Sequence, residues 1–200
     1  MAGFARRRDQ LRSTALRALR TCYRSNGRKG GHVLIVLQVI SVILGAITMA
    51  LSLAHALEMP GKRRLGRETY LVVQQIYYPG FTIGGISEIL VLIAVIALWV
   101  VMPTASAESP WALGSFLAFL ANHIAYWALT HPVNRFWADG RVTSAAGKRF
   151  FGLGTTGEAA KADATKENWI ALGDRWERSH LVRALLSMTG LALLVTGIAL

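Results

Sequence analysis

Long apolar stretches separated by short polar segments dominate the chain. Four of them are long enough to cross a membrane, namely 33–57, 81–102, 111–130 and 181–200. A transmembrane helix needs about 20 mostly apolar residues to span the hydrocarbon layer. Four such stretches in 200 residues leave too little polar surface for a soluble domain. The pattern predicts an all-α fold, a four-helix transmembrane bundle.

The segment before the first span has a different pattern. Residues 1–31 repeat apolar side chains at helical spacing among arginines, which indicates either a basic amphipathic helix on the membrane surface or a flexible, disordered basic tail. Polar residues and glycines at 25–31 predict a helix break before the first span. The chain therefore divides into a basic tail, 1–31, and a four-span membrane domain, 32–200.

Two of the segments between spans are long enough to hold structure. Residues 68–80 place Tyr70, Gln74 and Tyr77 near helical spacing, which predicts a short amphipathic helix between spans 1 and 2. Residues 138–168 have no apolar period and predict an exposed loop, with a short helix at 157–168.

Composition and charge favour a membrane protein whose partner is lipid. Hydrophobic residues make up 53% of the chain and charged residues 16%, against about a quarter charged in soluble domains. The net charge is +11, and nine of the basic residues precede the first span. Basic residues beside a span attract anionic headgroups, so we expect no nucleic-acid partner. Cys22 is the single cysteine, which excludes an internal disulfide.

Counting basic residues leaves the orientation open. The tail holds nine, and the segments 59–80 and 131–180 hold four and eight. Cytoplasmic segments of membrane proteins are enriched in Lys and Arg. The tail therefore favours an orientation with both termini in the cytoplasm. The two loops together favour both termini outside, and we give this second orientation slightly more weight. The cluster Lys62-Arg63-Arg64 is expected at the headgroups. We expect a multi-pass protein of a bacterial inner membrane, and a homo-oligomer among its forms.

Polar residues within the spans converge on one end of the bundle. Consecutive spans with short connections run antiparallel, so the ends of spans 1 and 3 meet the starts of spans 2 and 4. Those positions hold the polar side chains His55, Glu58, Glu88, His123, His131, Asn134, Trp176, His180 and Arg183.

Helical spacing sharpens this convergence. Trp176, His180 and Arg183 are four and three residues apart, so they share one helix face. Glu88 is expected about 10 Å inside span 2, where an ionised carboxylate needs a partner. Arg183 is the natural partner, and His55 or His180 could share its proton.

A structural interpretation competes with a functional one. His55 and Glu58 would then be interfacial residues, and Glu88 with Arg183 an ion pair that sets helix register. Trp127, Trp137 and Trp176 would anchor the aromatic belt. His123 would hydrogen-bond across helices.

Four short motifs resemble the DUF1772 family of small four-helix membrane proteins, which includes the anthrone oxygenases. The motifs are His55-x-x-Glu58-x-Pro60-Gly61-Lys62, Gly84-Gly85-x-x-Glu88, Pro132-Val133-Asn134 and Trp176-x-x-x-His180-x-x-Arg183. The resemblance covers roughly 35–200. It implies a substrate resembling an anthrone, oxygenated to an anthraquinone without a bound cofactor.

We expect the polar residues to form a pocket at one membrane face that binds a lipophilic small molecule. Two functions remain open, a cofactor-independent oxygenase of anthrone type and a non-catalytic protein whose polar cluster is structural or binds lipid. For the enzyme, His180 or His55 would be the base, Glu88 its orienter, and Arg183 with Asn134 the anion stabilisers. The candidate catalytic residues are His180, His55, Glu88 and Arg183. The candidate substrate-binding residues are Glu58, His131, Asn134, Trp176, Trp127 and Gln74.

No metal or other cofactor is expected. Glu177-x-x-His180 is a single Glu-x-x-His motif, whereas di-iron bundles use two, with two further glutamates.

Overall fold

In the computed structural model the residues described are 2–103, 105–134 and 169–200, with side chains described from Gly31 onward. Those ranges are mostly helical, contain no strand, and include four helical stretches long and apolar enough to cross a membrane. The predicted fold class is therefore confirmed. The elements are α1 (Ala2–Lys62), α2 (Arg67–Gln75), α3 (Gly80–Val101), α4 (Ser109–Ala125), a π-helical turn (Tyr126–Thr130), α5 (His131–Asn134) and α6 (Trp169–Ala199).

The helices extend beyond the predicted spans. α1 continues without interruption from Ala2 to Lys62, so the break expected at 25–31 is wrong. Glycines in a helix cost only about 1 kcal/mol each, and the apolar span supplies a formed helix to extend. The helical alternative for 1–31 agrees with α1, while its position on a membrane surface stays a prediction.

α6 begins at Trp169, before the predicted span at 181. Its first turns are amphipathic, with Gly173 and Trp176 buried and Arg175 exposed, so a test for uniform hydrophobicity misses them. The predicted loop at 138–168, its short helix and Trp137 lie outside the described residues.

Proline marks most helix ends. Pro60 lies in the last turn of α1, which ends two residues later. Met102 adopts an extended backbone before Pro103 and ends α3, because proline restricts the residue before it. Pro110 lies in the first turn of α4, where a missing N–H costs nothing.

The π-helical turn also lies next to a proline. The N–H of His131 bonds to the carbonyl of Tyr126, five residues back. Pro132 has no N–H to continue the α-helical ladder, and such gaps are relieved by wider turns, which are frequent at functional sites. The turn directs Tyr126, Trp127 and Thr130 toward the bundle interior or its rim.

One half of the bundle is a dry, tightly packed core. Phe119 of α4 lies between Gly45 of α1 and Gly190 of α6, close to where a side-chain Cβ would stand at either glycine. Ser115 Oγ donates to the Gly190 carbonyl at 2.8 Å. Small residues that let helices approach closely are typical of membrane bundles.

The other half is covered by α2. This helix turns Tyr70 and Gln74 inward, and Tyr70 packs with Tyr77, Val133 and Trp176 in a second apolar cluster. The predicted helix at 68–80 is thus present, but it ends at Gln75 and is followed by turns up to Gly80. α2 closes the end of the bundle at which the polar side chains lie.

Candidate functional site

A cavity of about 840 Å³ lies between the helices at the polar end of the bundle. Leu51, Phe81, Ile86 and Ile89 supply much of its apolar lining, and all four spans contribute polar side chains. The lining residues are Leu51, Ser52, His55, Phe81, Thr82, Gly85, Ile86, Glu88, Ile89, His123, Tyr126, Trp127, Thr130, Asn134, Trp176, His180 and Arg183.

An ion pair between Glu88 and Arg183 lies in the cavity wall. Arg183 Nη2 donates to Glu88 Oε1, and both side chains are at least nine-tenths buried. Because the pair joins α3 to α6, the partner predicted for Glu88 is confirmed. The cavity wall therefore holds one positive and one negative side chain, which neutralise each other. Arg183 also lies over the Tyr126 ring, 5.1 Å from its centroid.

His123 is the second partner of Glu88. Its Nδ1 lies 3.4 Å from Glu88 Oε2, and its Nε2 lies 3.0 Å from the indole nitrogen of Trp127. An indole N–H can only donate, so Nε2 holds the lone pair and Nδ1 the proton that points to Glu88. The cross-helix hydrogen bond expected of His123 is confirmed.

His180 has both ring nitrogens engaged. Nδ1 lies 2.9 Å from the Trp176 carbonyl, which can only accept, so Nδ1 carries the proton. Nε2 lies 3.3 Å from Arg183 Nη1, a group that can only donate. The lone pair of this imidazole is therefore directed at a guanidinium.

His55 occupies the centre of a group of rings. The centroids of Tyr77, Phe81, Trp176 and His180 lie 4.3, 4.4, 4.8 and 4.3 Å from that of His55. Nδ1 lies 3.7 Å from Glu58 Oε2 and makes no hydrogen bond within the described part of the chain. Its ring therefore meets the cavity on one side and a carboxylate on the other.

An outer polar cluster of Glu58, Lys62, Tyr70, Tyr77 and Glu177 lies beyond this ring group. Lys62 Nζ lies 3.0 Å from Glu58 Oε2 and 3.6 Å from Glu177 Oε1. Tyr77 donates to Glu58 and Tyr70 donates to Glu177. Burial and the adjacent carboxylates raise the pKa of both phenols, so they remain donors.

Lys62 was expected to hold the chain at the headgroups, but its side chain is enclosed by protein. Its side chain is only 4% exposed, because two carboxylates and two aromatic rings surround it. Arg63 lies nearer the surface and pairs with Asp174 at 2.9 Å.

The cavity brings together most of the predicted site residues. All four candidate catalytic residues line it, as do Asn134, Trp176 and Trp127. Asn134 accepts a hydrogen bond from the Trp176 indole at 2.8 Å, so it holds that ring in place.

Three predicted site residues do not line the cavity. Glu58 belongs to the outer polar cluster, Gln74 is buried on α2, and His131 packs against the Trp127 ring with centroids 4.6 Å apart. Tyr126 and Thr130 line the cavity without having been predicted. Tyr126 and Thr130 follow His123 by three and seven residues, which is the spacing of one α-helical face, so a search that weighed mainly charged and histidine side chains missed them.

The described residues contain no group of three His, Cys, Asp or Glu side chains placed to hold a metal ion. The carboxylates of Glu58, Glu88 and Glu177 are instead paired with cations, phenols or an imidazole.

Fold and site together define a multi-pass, all-helical membrane protein with a ligand-sized cavity between its helices. No protein-family model, curated protein or solved structure matches the chain, so membership of the DUF1772 family stays a prediction.

Proposed function

We propose that the protein binds a lipophilic small molecule in this cavity. The observation that supports the proposal is a chamber of about 840 Å³ with an apolar wall and a few convergent polar groups. Typical ligand sites have this volume and this mixture of surfaces. Leu51, Phe81 and Ile86 provide the apolar side, and His55 and Arg183 face it.

Ligand binding is tested by filling the chamber. An added Cβ at Gly85 would meet no atom within 4 Å, so this position has room for a larger side chain. We expect lipophilic phenols, quinones or fatty alcohols to raise the melting temperature of the wild type and not that of Gly85→Phe. Gly80→Phe, also in open space but away from the cavity, is the matched control. An equal response in wild type and Gly85→Phe would contradict the proposal.

The geometry also supports a catalytic role of the anthrone-oxygenase type. His180 already directs its lone pair at Arg183, which makes His55 the better base. Glu58 lies beside His55 Nδ1 and would orient the ring. The base would remove a proton from the anthrone methylene, and Arg183 would stabilise the resulting enolate. Dioxygen would then oxidise the enolate, giving the anthraquinone and one water.

Oxygen consumption by the purified protein with an anthrone tests this reaction. We expect His55→Ala to lower turnover about a hundredfold or more, with His32→Ala, an exposed histidine outside the cavity, as the control. If wild-type protein binds the anthrone but consumes no oxygen, the role is binding alone.

The competing non-catalytic role rests on the contacts of Glu88. Its carboxylate joins α3 to α4 through His123 and to α6 through Arg183. In that case Glu88→Gln would lower stability and leave the response to ligands unchanged.

The surroundings of the protein are part of the same proposal. We place it in a bacterial inner membrane, with lipid as its environment, no nucleic-acid partner, no cofactor, and self-association into a homo-oligomer. Fractionation of the source cells and the mass of the protein in nanodiscs test these points.

A further inference from the structure

The cavity meets the lipid-facing surface between α3 and α4. Ile86 and Ile89 of α3 are 55% and 53% exposed, and Trp127 of the π-helical turn is 54% exposed. All three also line the cavity. We call this group the portal. α3 and α4 also make the least extensive contact of the neighbouring spans, which is consistent with an opening between them.

The polar end of the bundle, in contrast to its side, is closed by protein. Tyr70 and Gln74 of α2 and Tyr77 of the turn that follows it are at most 4% exposed, so these elements bury one face against the bundle. Tyr70 donates a hydrogen bond to Glu177 of α6, and Tyr77 donates one to Glu58 of α1. The buried Lys62 of α1 lies beside Glu177. Among the described residues, the side facing the bilayer is thus more open than the end facing the headgroups.

Charge narrows the chemistry of the ligand. Arg183 and Glu88 neutralise each other inside the cavity, so a doubly charged headgroup such as a phosphate would have no net countercharge. The imidazole of His55 and the guanidinium of Arg183 can still bond a hydroxyl or carbonyl. The portal residues are more than half exposed, whereas His55, His180 and Arg183 are at most 6% exposed.

We propose that the ligand is a neutral membrane amphiphile that reaches the cavity from the bilayer through the portal, with its hydroxyl or carbonyl head beside Arg183 and its apolar tail passing between Ile86 and Trp127. This inference rests on the proposed ligand-binding function and adds the route and the class of ligand. Trp127 has a second role at the portal, since its indole N–H holds the His123 ring that bonds Glu88.

The test uses the full chain in phosphatidylcholine nanodiscs and two photoreactive fatty alcohols. One carries a diazirine beside the hydroxyl, and its isomer carries the diazirine near the far end of the chain. We expect the first to label cavity residues on α1 and α6, including His55 and His180. The isomer is expected to label the portal. Mass spectrometry of the peptides reports both positions.

Two tryptophan variants distinguish the route. Ile86 and Ile93 lie seven residues apart on one face of α3 and are 55% and 57% exposed, so Trp at either position leaves the core intact. Ile86→Trp blocks the portal and should abolish labelling of α1 and α6. Ile93→Trp, outside the cavity, should retain it.

Retained interior labelling in Ile86→Trp would overturn the lateral route and leave ligand binding standing. Labelling of the lipid-facing surface alone in the wild type would overturn both the route and the proposed function.

Discussion

Lys62 is a buried cation held between two helices. Its ammonium group pairs with Glu58 in the same helix and Glu177 in α6, and it lies 4.7 Å from the centroids of the Tyr77 and Trp176 rings. Aromatic faces add attraction to a desolvated cation. Glu177 is 1% exposed, so it depends on Lys62 and Tyr70 for compensation.

Removing this ammonium should destabilise the fold strongly. Lys62→Met leaves the Glu177 carboxylate buried beside no cation, and breaking a buried pair in this way costs about 3–5 kcal/mol. Thermal unfolding in detergent measures the loss. Lys62→Met combined with Glu177→Gln should recover part of it, because the uncompensated charge is gone.

The neighbouring arginine provides the matched control. Arg63 and Asp174 are both more than two-fifths exposed, and exposed pairs contribute about 1 kcal/mol or less. The Arg63→Met variant should therefore have a melting temperature close to that of the wild type. Equal losses in Lys62→Met and Arg63→Met would contradict a buried structural role for Lys62.

The Glu88–Arg183 pair and the buried Lys62 differ in how well the sequence predicts them. Glu88 and Arg183 could be paired in advance, because an intramembrane carboxylate requires a partner and the antiparallel order of the spans places one at its level. Lys62 belongs to a basic run at a helix end, a pattern typical of headgroup anchors. Lys62 is buried because Glu177 and Trp176 pack around it. Both residues are distant in sequence, so the local sequence pattern does not predict this burial.

The π-helical turn at Tyr126–Thr130 is the element that shapes the portal. It widens the backbone just before Pro132 and brings Tyr126, Trp127 and Thr130 to the cavity wall. A π-helical turn holds more residues than an α-helical one, so closing it would rotate the side chains before the turn relative to those after it.

Restoring the missing N–H should therefore reshape the cavity without unfolding the bundle. Pro132→Ala supplies a donor for the α-helical ladder and allows the wide turn to close. We expect a melting temperature equal to or above that of the wild type, and loss of labelling by the fatty alcohol that carries its diazirine beside the hydroxyl.

Pro110→Ala is the control for this change. Pro110 lies in the first turn of α4, where no hydrogen bond is gained by adding an N–H. It should leave labelling unchanged. Full labelling in Pro132→Ala would contradict the prediction and show that ligand binding does not depend on the π-helical turn.

Helices could be predicted from the sequence where hydrophobicity alone determines their extent. Uniform hydrophobicity located α3 to within a residue at each end. It missed the first turns of α6, where buried Trp176 and His180 alternate with exposed Arg175 and Arg178. It gave no sign of the π-helical turn, because a wide turn changes hydrogen bonding and leaves hydropathy unchanged.

At the scale of the whole molecule, the bundle separates packing from binding. Phe119, Gly45 and Gly190 hold three spans together in the dry half, while the cavity, the ion pair and the outer polar cluster occupy the other half. A close-packed half gives α1, α4 and α6 fixed positions. The looser α3–α4 contact can then border a cavity without loss of the fold.

This division predicts that stability and binding respond to different substitutions. A Cβ at Gly190 would lie 3.0 Å from the Phe119 ring, and Gly45 packs against the tip of the same ring and limits its movement. Overpacking of this kind costs about 1–3 kcal/mol. Gly190→Ala should thus lower the melting temperature, whereas Gly114→Ala, which makes an ordinary 3.4 Å contact with Leu193, should not.

Labelling per folded molecule is the second readout for Gly190→Ala. It should equal that of the wild type, because the substitution lies in the dry half and touches no cavity residue. Phe119→Leu in the same chain should relieve the contact, so the two substitutions together should destabilise by less than the sum of their separate effects. If Gly190→Ala instead abolished interior labelling at unchanged stability, the dry half would be setting the shape of the cavity, and the separation of packing from binding would be wrong.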